Sequence, residues 1–192
     1  MGMRNRDDDD DDRAVSNARA VAVTSHSSGL TSSVSALVRA ALIVGDLDRS
    51  SAFYRDLLGL SEVYFDGDLT DPAATRLLGV RPDHKVRARI FQAPGPSFGM
   101  VGLFEVTPRP APVEKRNDGA NVGEAILVFY AADLDLIVER LEAGGHPIIC
   151  PPIHLQVTPT SGQREMTCAD PDGVLVNLIE SDKRIDRPHS LA

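Results

Sequence analysis

The feature that most constrains the fold of this chain is an internal repeat with an offset of 87 residues. The segments ALIVGDLDRSSAFYRDLLGL (41–60) and LVFYAADLDLIVERLEAGG (127–145) share one plan: an apolar strand, the tripeptide Asp-Leu-Asp, and an amphipathic helix that ends at glycine. In each copy the first aspartate can cap the helix N-terminus, and the second adds favourable negative charge to the first turn. A period this long that occurs only twice indicates duplicated halves rather than a solenoid.

Three strand-like runs follow each helix. They cover 60–65, 85–91 and 100–106 in the first copy, and 147–150, 164–168 and 174–179 in the second. The sequence therefore predicts an α+β fold of two tandem βαβββ modules, with strands that form a curved, open-barrel-like sheet and helices on the outer face.

Composition divides the chain into five parts. Residues 1–33 contain a run of six aspartates (Asp7 to Asp12), which repel one another and bury nothing, so we expect a disordered acidic tail. The first module covers 34–106, and a linker rich in proline and polar residues covers 107–122. The second module covers 123–182, and a C-terminal tail covers 183–192.

Charge and cysteine content restrict the class of protein. A formal net charge of −8 argues against a nucleic-acid-binding protein, which needs cationic residues to neutralise phosphates. No apolar run reaches the roughly 20 residues that a transmembrane helix requires. Two cysteines, Cys150 and Cys168, do not form a disulfide framework or a CxxC zinc motif. We therefore expect a cytoplasmic protein with reduced thiols and no membrane partner.

The segment ADPDGVLVNLIE (169–180) poses the functional question. Asp-Pro-Asp-Gly is typical of a tight turn, and the residues that follow are typical of a strand. Asn177 is a single amide among aliphatic residues of that strand. It is interpreted as a metal ligand, a substrate contact or the remnant of a lost site.

The motifs VGDLDRSSAFYRDLLGL, AADLDLIVERLEAGG and DPDGVLVNL resemble those of the vicinal oxygen chelate superfamily. That superfamily includes glyoxalase I, bleomycin-resistance proteins and extradiol dioxygenases. The resemblance covers about residues 37–181. It implies that two modules close a bowl, that chains pair as homodimers, and that a divalent metal often lies at the floor of the bowl.

The resemblance also places the family's metal ligands on this sequence. The two first-strand positions, usually histidine, fall on Arg39 and Ile126, and the two fourth-strand positions, usually glutamate, fall on Glu105 and Asn177. Arginine and isoleucine offer no lone pair to a cation, and an amide oxygen is a weak donor. Glu105 is then the only family-type ligand retained, so we expect no cofactor, with a divalent metal as the disfavoured alternative.

Strand alternation extends this site. If Arg39 and Glu105 face the bowl, they can form an ion pair there, and alternate residues of the same strands join them. Val86, Ala88 and Ile90 could then pack beneath the helix and turn their arginine neighbours inward, or an edge of this strand could equally face water. His154 would overhang the mouth. The predicted substrate contacts are Ile43, Arg87, Arg89, Leu103, Ile126, Val128, Tyr130, Leu175 and His154.

Three functional hypotheses follow. The first is a glyoxalase-like lyase or isomerase that acts beside a carbonyl of a small anionic substrate without the usual metal. In it Arg39 holds an anion, Glu105 removes a proton, and Asn177 orients the oxyanion. The second is a non-catalytic, antibiotic-type binding protein for a small molecule. The third is a metal-dependent glyoxalase or dioxygenase with an atypical site.

Overall fold

Each half of the repeat folds into a four-stranded mixed sheet with a helix on one face. The computed structural model describes residues 34–95, 97–114, 119–159 and 161–180, so the two predicted tails lie outside the described residues. The described residues between Ser35 and Glu180 belong to one compact unit. No helix in the described ranges has the length and hydrophobicity needed to span a bilayer.

The first module contains four strands, and the second repeats them. The elements of the first module are β1 (Arg39–Val44), α1 (Leu47–Ser51) with a π-helical continuation (Ala52–Leu57), β2 (Glu62–Asp68), α2 (Pro72–Leu77), β3 (Lys85–Gln92) and β4 (Met100–Thr107). Those of the second are β5 (Ile126–Ala131), α3 (Leu134–Ala143), β6 (Ile148–Thr158), β7 (Ser161–Ala169) and β8 (Leu175–Glu180).

The two sheets have the same topology. Their strand orders are β1-β4-β3-β2 and β5-β8-β7-β6, and only the pairs β1–β4 and β5–β8 are parallel. This confirms the predicted fold class of two βαβββ modules. Helix α2 is absent from the sequence prediction, and it has no counterpart between β6 and β7.

The aspartates of the repeat cap both helices, as the sequence predicts. The Oδ1 atom of Asp46 accepts a hydrogen bond from the backbone N–H of Arg49 at 2.9 Å, and that of Asp133 accepts one from Leu136 at 3.0 Å. Each cap satisfies an N–H group that has no partner within its helix.

One hydrophobic core joins the two modules. Phe53, Tyr54 and Leu57 of the π-helical segment pack in the same cluster as Leu134 and Leu141 of α3. The cluster also includes helix-side residues of both sheets, which are Val44, Phe91, Val101, Leu103, Ala131, Met166, Cys168, Val176 and Leu178. The helix-bearing faces of the two sheets therefore share one core, and their opposite faces, which we call the open faces, lie outside it.

The strand registers assign the residues of each open face. In the first sheet Arg39 pairs with Met100, Ala41 with Gly102 and Ile43 with Phe104, and directly paired residues share a face. In the second sheet Ile126 pairs with Leu175, Val128 with Asn177 and Tyr130 with Ile179. The predicted alternation on β1, β5 and β8 agrees with these registers.

The predicted facing of β3 and β4 is wrong. Glu105 pairs with Val44, and Leu103 pairs with Leu42, so both lie on the helix-bearing face. Arg87 pairs with Glu105, and Arg89 with Leu103, so these arginines also lie there. Arg89 donates to Asp48 at 3.0 Å and to Asp66 at 2.8 Å, which ties the start of α1 to β2.

The cause of this error is the unpredicted helix α2. Val86, Ala88, Phe104 and Val106 form a second buried cluster on the open face of the first sheet, under the segment that contains α2. Because β3 and β4 are covered on both sides, nearly every residue of β4 is buried. A strand covered on both faces loses the alternation of apolar and polar residues from which facing is inferred.

The Asp-Pro-Asp-Gly turn of the second module clamps the first module. Gly173 adopts a φ of +84°, as the turn pattern predicts. Asp172 accepts hydrogen bonds from the backbone N–H of Gly45 at 3.0 Å and from the Ser50 hydroxyl at 2.8 Å. Arg49 donates to Asp172 at 3.3 Å and to the Pro171 carbonyl at 2.9 Å.

Asp170 lies at the centre of this clamp. It is 2% exposed, and it accepts hydrogen bonds from the Tyr54 hydroxyl at 2.9 Å and from the backbone N–H groups of Asp172 and Val174 at 2.9 and 2.7 Å. Burial raises the pKa of Asp170, and these donors oppose that shift. Tyr54 is itself fully buried, so this contact between modules excludes water.

We predict that Tyr54→Phe destabilises the fold by about 1.5 to 3 kcal/mol at neutral pH, because the buried carboxylate loses a donor. The hydroxyl lowers the pKa of Asp170, so its removal raises that pKa further. The resulting loss in the free energy of unfolding is present when Asp170 is ionised, and it becomes smaller as the pH falls through the pKa of Asp170. Urea unfolding between about pH 4 and about pH 7 would measure this.

Tyr130→Phe is the matched control, because Tyr130 is 63% exposed. It should change the free energy of unfolding by less than about 0.5 kcal/mol. Equal effects of the two substitutions would contradict the clamp.

Candidate functional site

A polar cluster lies on the open face of the second sheet, between β7 and β8. Asn177 pairs with Val128 on β5 and with Thr167 on β7. Its Nδ2 group, which carries two hydrogens, lies within hydrogen-bonding distance of three acceptors: the Thr167 hydroxyl at 3.3 Å, the Met166 carbonyl at 3.2 Å and Glu165 at 3.3 Å. The amide singled out in the sequence therefore positions neighbouring groups on β7.

Glu165 is the carboxylate of this cluster, and it is not among the residues predicted from the sequence. It pairs with Ile179, which places it on the open face, and it is partly exposed. Gln163 donates to one carboxylate oxygen at 2.5 Å, and Asn177 donates to the other. Both oxygens are thereby fixed by neutral amides.

One signal in the sequence identifies Glu165 in retrospect. The run QREMTC alternates, and once Met166 and Cys168 are assigned to the core, Gln163, Glu165 and Thr167 must share the other face. The family pattern places ligands on the first and fourth strands of each module, whereas Glu165 belongs to the third strand of its module.

Tyr130 and Glu165 lie in one row across the second sheet. Tyr130 on β5 pairs with Ile179 on β8, and Ile179 pairs with Glu165 on β7. Two strand spacings separate the outer residues by about 10 Å at the backbone. A small molecule that rests on Ile179 could therefore contact a phenol on one side and a carboxylate on the other.

The surroundings of this row are apolar and accessible. Ile126 is 51% exposed and Val128 is 58% exposed, although both are aliphatic. Leu175 lies beside them on the same face. An apolar surface with a few convergent polar groups is the usual composition of a small-molecule site.

The first sheet presents a different open face. The Arg39 guanidinium lies 5.9 Å from the centre of the Phe104 ring, which is a cation–π arrangement. A cleft of about 310 Å³ opens beside it, between the sheet and α2. Ile43, which pairs with Phe104, is 43% exposed on the same face.

The predicted pair of Arg39 and Glu105 is not formed. Arg39 is in register with Met100, so Glu105 lies five residues further along β4, roughly 16 Å away, and faces the opposite side. The structure thus separates the two groups that the predicted mechanism required to act together.

The remaining predicted contacts divide between the two faces. The structure places Ile43 on the open face of the first sheet, and Ile126, Val128, Tyr130, Leu175 and Asn177 on that of the second. His154 pairs with Arg164, and the Arg164 guanidinium binds Asp135 of α3. His154 therefore lies on the helix-bearing side. Arg87, Arg89 and Leu103 lie on the helix-bearing side of the first sheet.

Comparison with known proteins agrees with this architecture. The sequence profile of the Glyoxalase/Bleomycin resistance protein/Dioxygenase superfamily matches residues 36–178. The chain belongs to this superfamily. The match spans both modules and the segment between them, so both halves of the repeat are family modules.

Solved structures show the same fold at low sequence identity. A glyoxalase family protein from Bacillus cereus is 18% identical with a TM-score of 0.63, over 77% of this chain and 94% of that one. The trypanothione-dependent glyoxalase I of Leishmania major is 18% identical with a TM-score of 0.50, over 77% of this chain and 87% of that one. No curated protein matches the sequence. The comparisons therefore establish family and fold.

The metal positions of the superfamily do not fit a cation in this chain. Arg39 is itself a cation, and Ile126 has no donor atom. Glu105 faces away from the open face. Asn177 offers only an amide oxygen, which is a weak donor, while its Nδ2 group is bonded to β7. Within the described residues, no three His, Cys, Asp or Glu side chains come together in a group that could hold a metal ion.

We predict that protein purified without chelator contains well below one equivalent of divalent metal per chain, because the four family positions present no set of anionic or imidazole donors. Inductively coupled plasma mass spectrometry on the desalted protein would measure this. One equivalent of metal that is lost in an Asn177→Ala variant would contradict the prediction.

Proposed function

We propose that this chain is a small-molecule enzyme of the glyoxalase superfamily, with lyase or isomerase chemistry beside a carbonyl and no metal at the family positions. The observation that carries the proposal is the Glu165 carboxylate, which is fixed by two amides on an otherwise apolar open face. Family membership supports glyoxalase-like or binding activity in general. The specific reaction is our inference from the site.

In the proposed reaction Glu165 acts as the general base. A positioned carboxylate that removes a proton from the carbon next to a carbonyl contributes about 10²- to 10⁴-fold to the rate. The hydroxyl of Tyr130, in the same row across Ile179, donates to the oxygen on which negative charge develops. Asn177 and Gln163 are positioning residues, since they contact the carboxylate rather than the ligand.

The proposed substrate differs from the one expected from the sequence. The expectation of an anionic substrate depends on Arg39 lying beside the catalytic carboxylate. Arg39 lies on the other sheet, and the described residues of the second open face include no cation. The substrate proposed for this site is therefore a small carbonyl compound. The row of Tyr130, Ile179 and Glu165 does not select for its overall charge.

A non-catalytic binding protein is the second candidate. The exposure of Ile126, Val128 and Tyr130 favours it, because an apolar surface alone is sufficient to sequester a small molecule. A ligand that returns chemically unchanged from the protein would support this candidate over the enzyme.

We predict that Glu165→Gln lowers catalysed deuterium exchange next to a carbonyl by about 100-fold or more. The protein would be incubated in deuterated water with a panel of small aldehydes, ketones and 2-oxo acids, and deuterium incorporation followed by proton NMR. The substitution keeps the shape of the side chain and removes the base.

Glu139→Gln on the exposed side of α3 is the control and should retain full exchange. Exchange that is equal in the wild type and in Glu165→Gln would contradict the assignment of the base. If the protein catalyses exchange in no compound of the panel, and if a bound ligand is released chemically unchanged, the non-catalytic binding protein is favoured.

We also expect the chain to form a homodimer, as its resemblance to the family implies. Cytoplasmic location and the lack of nucleic-acid partners remain predictions from composition.

We predict that the wild-type protein sediments with the mass of two chains. Sedimentation velocity at micromolar concentration would measure the mass, and a monomer would contradict the expected pairing.

A further inference from the structure

The cleft between α2 and the first sheet is independent of the site on the second sheet. Helix α2 is fixed over the open face by its own local contacts. Asp71 caps it by accepting from the backbone N–H of Ala73 at 2.8 Å, and the N–H of Leu69 donates to Val86 on β3 at 2.8 Å. Leu69, Leu78 and Val80 pack against the buried cluster of the sheet.

These contacts hold α2 against the sheet but leave an open space beside it. Leu77, which lines the cleft, is 88% exposed, and Tyr64 on the facing strand is 58% exposed. The floor consists of Ile90 and Phe104, both buried. A space of about 310 Å³ with apolar walls lies at the lower end of the range for small-molecule sites.

Arg39 supplies the charge of this cleft. Its side chain rests on the Phe104 ring, and in the described part of the chain no carboxylate pairs with its guanidinium. Gly102 provides the space for this arrangement, because a Cβ atom there would come within 2.8 Å of the Arg39 side chain and 2.9 Å of the Phe104 ring. The guanidinium donors that point away from the ring are available to a ligand.

We infer that the cleft binds a small monocarboxylate with an apolar or aromatic body. The planar guanidinium matches a carboxylate in bidentate geometry. A single cation balances one negative charge, whereas a phosphate dianion would require further donors that the apolar walls do not supply. The body of the ligand would cover Leu77 and Tyr64, and its carboxylate would meet Arg39 at the mouth.

The site is distinct from the one proposed for catalysis, because α2 has no counterpart in the second module and Glu165 lies on the other sheet.

Isothermal titration calorimetry with 4-phenylbutyrate tests the inference, with the uncharged 4-phenylbutan-1-ol as the matched ligand. Wild-type protein should bind the acid at least about tenfold more tightly than the alcohol, which corresponds to one charge-assisted contact. Arg39→Gln should weaken binding of the acid by about 10- to 100-fold and leave that of the alcohol nearly unchanged.

Three further variants determine whether the ligand occupies this cleft. Arg76→Gln removes an exposed arginine of α2 that does not line the cleft, and it should bind like the wild type. Ala74→Phe fills the cleft and should abolish binding of both ligands, with thermal unfolding measured to confirm that the variant is folded. Glu165→Gln should leave binding unchanged, so failure of the proposed catalysis would not affect this result.

The inference would be overturned by any of three results. These are no binding of 4-phenylbutyrate at millimolar concentration, equal binding by the wild type and Arg39→Gln, or undiminished binding by folded Ala74→Phe.

Discussion

The buried contact between Tyr54 and Asp170 holds the two modules together, and the positions of the two open faces depend on it. A buried carboxylate is costly unless its oxygens are hydrogen-bonded, and here one donor comes from the other module. The turn that contains Asp170 also holds the start of α1 through Asp172. The apolar cluster between the modules uses the helix-bearing faces, so the open faces lie outside this shared core.

The fold could be predicted from the sequence where local rules and tertiary packing agree. Asp46 and Asp133 cap helices in isolation as they do in the protein, and Gly173 needs a positive φ in any tight turn of this type. The alternation on β5 and β8 is visible because one face is buried and the other is accessible. Helix α2 escaped prediction because six residues between turns carry too little periodicity.

Only part of the candidate site could be predicted from the sequence, because the rest depends on which residues of neighbouring strands pair with each other. Asn177 and Tyr130 are placed correctly by sequence because their strands alternate. Glu105 is misplaced because β4 is apolar on both faces, so its facing has to be taken from the family pattern. The partnership of Glu165 with Gln163 and Asn177 depends on how β7 pairs with β8, which is long-range information absent from the local sequence.

Helix α2 makes the two halves of a duplicated chain unequal. A repeat of two similar modules would ordinarily give two similar surfaces, each of which must remain suitable for the same ligand. Among the described residues, α2 covers the open face that carries Arg39, whereas no such helix lies over the open face that carries Glu165. Substitutions on one open face can therefore accumulate without disturbing the other, while the shared core holds both sheets in place.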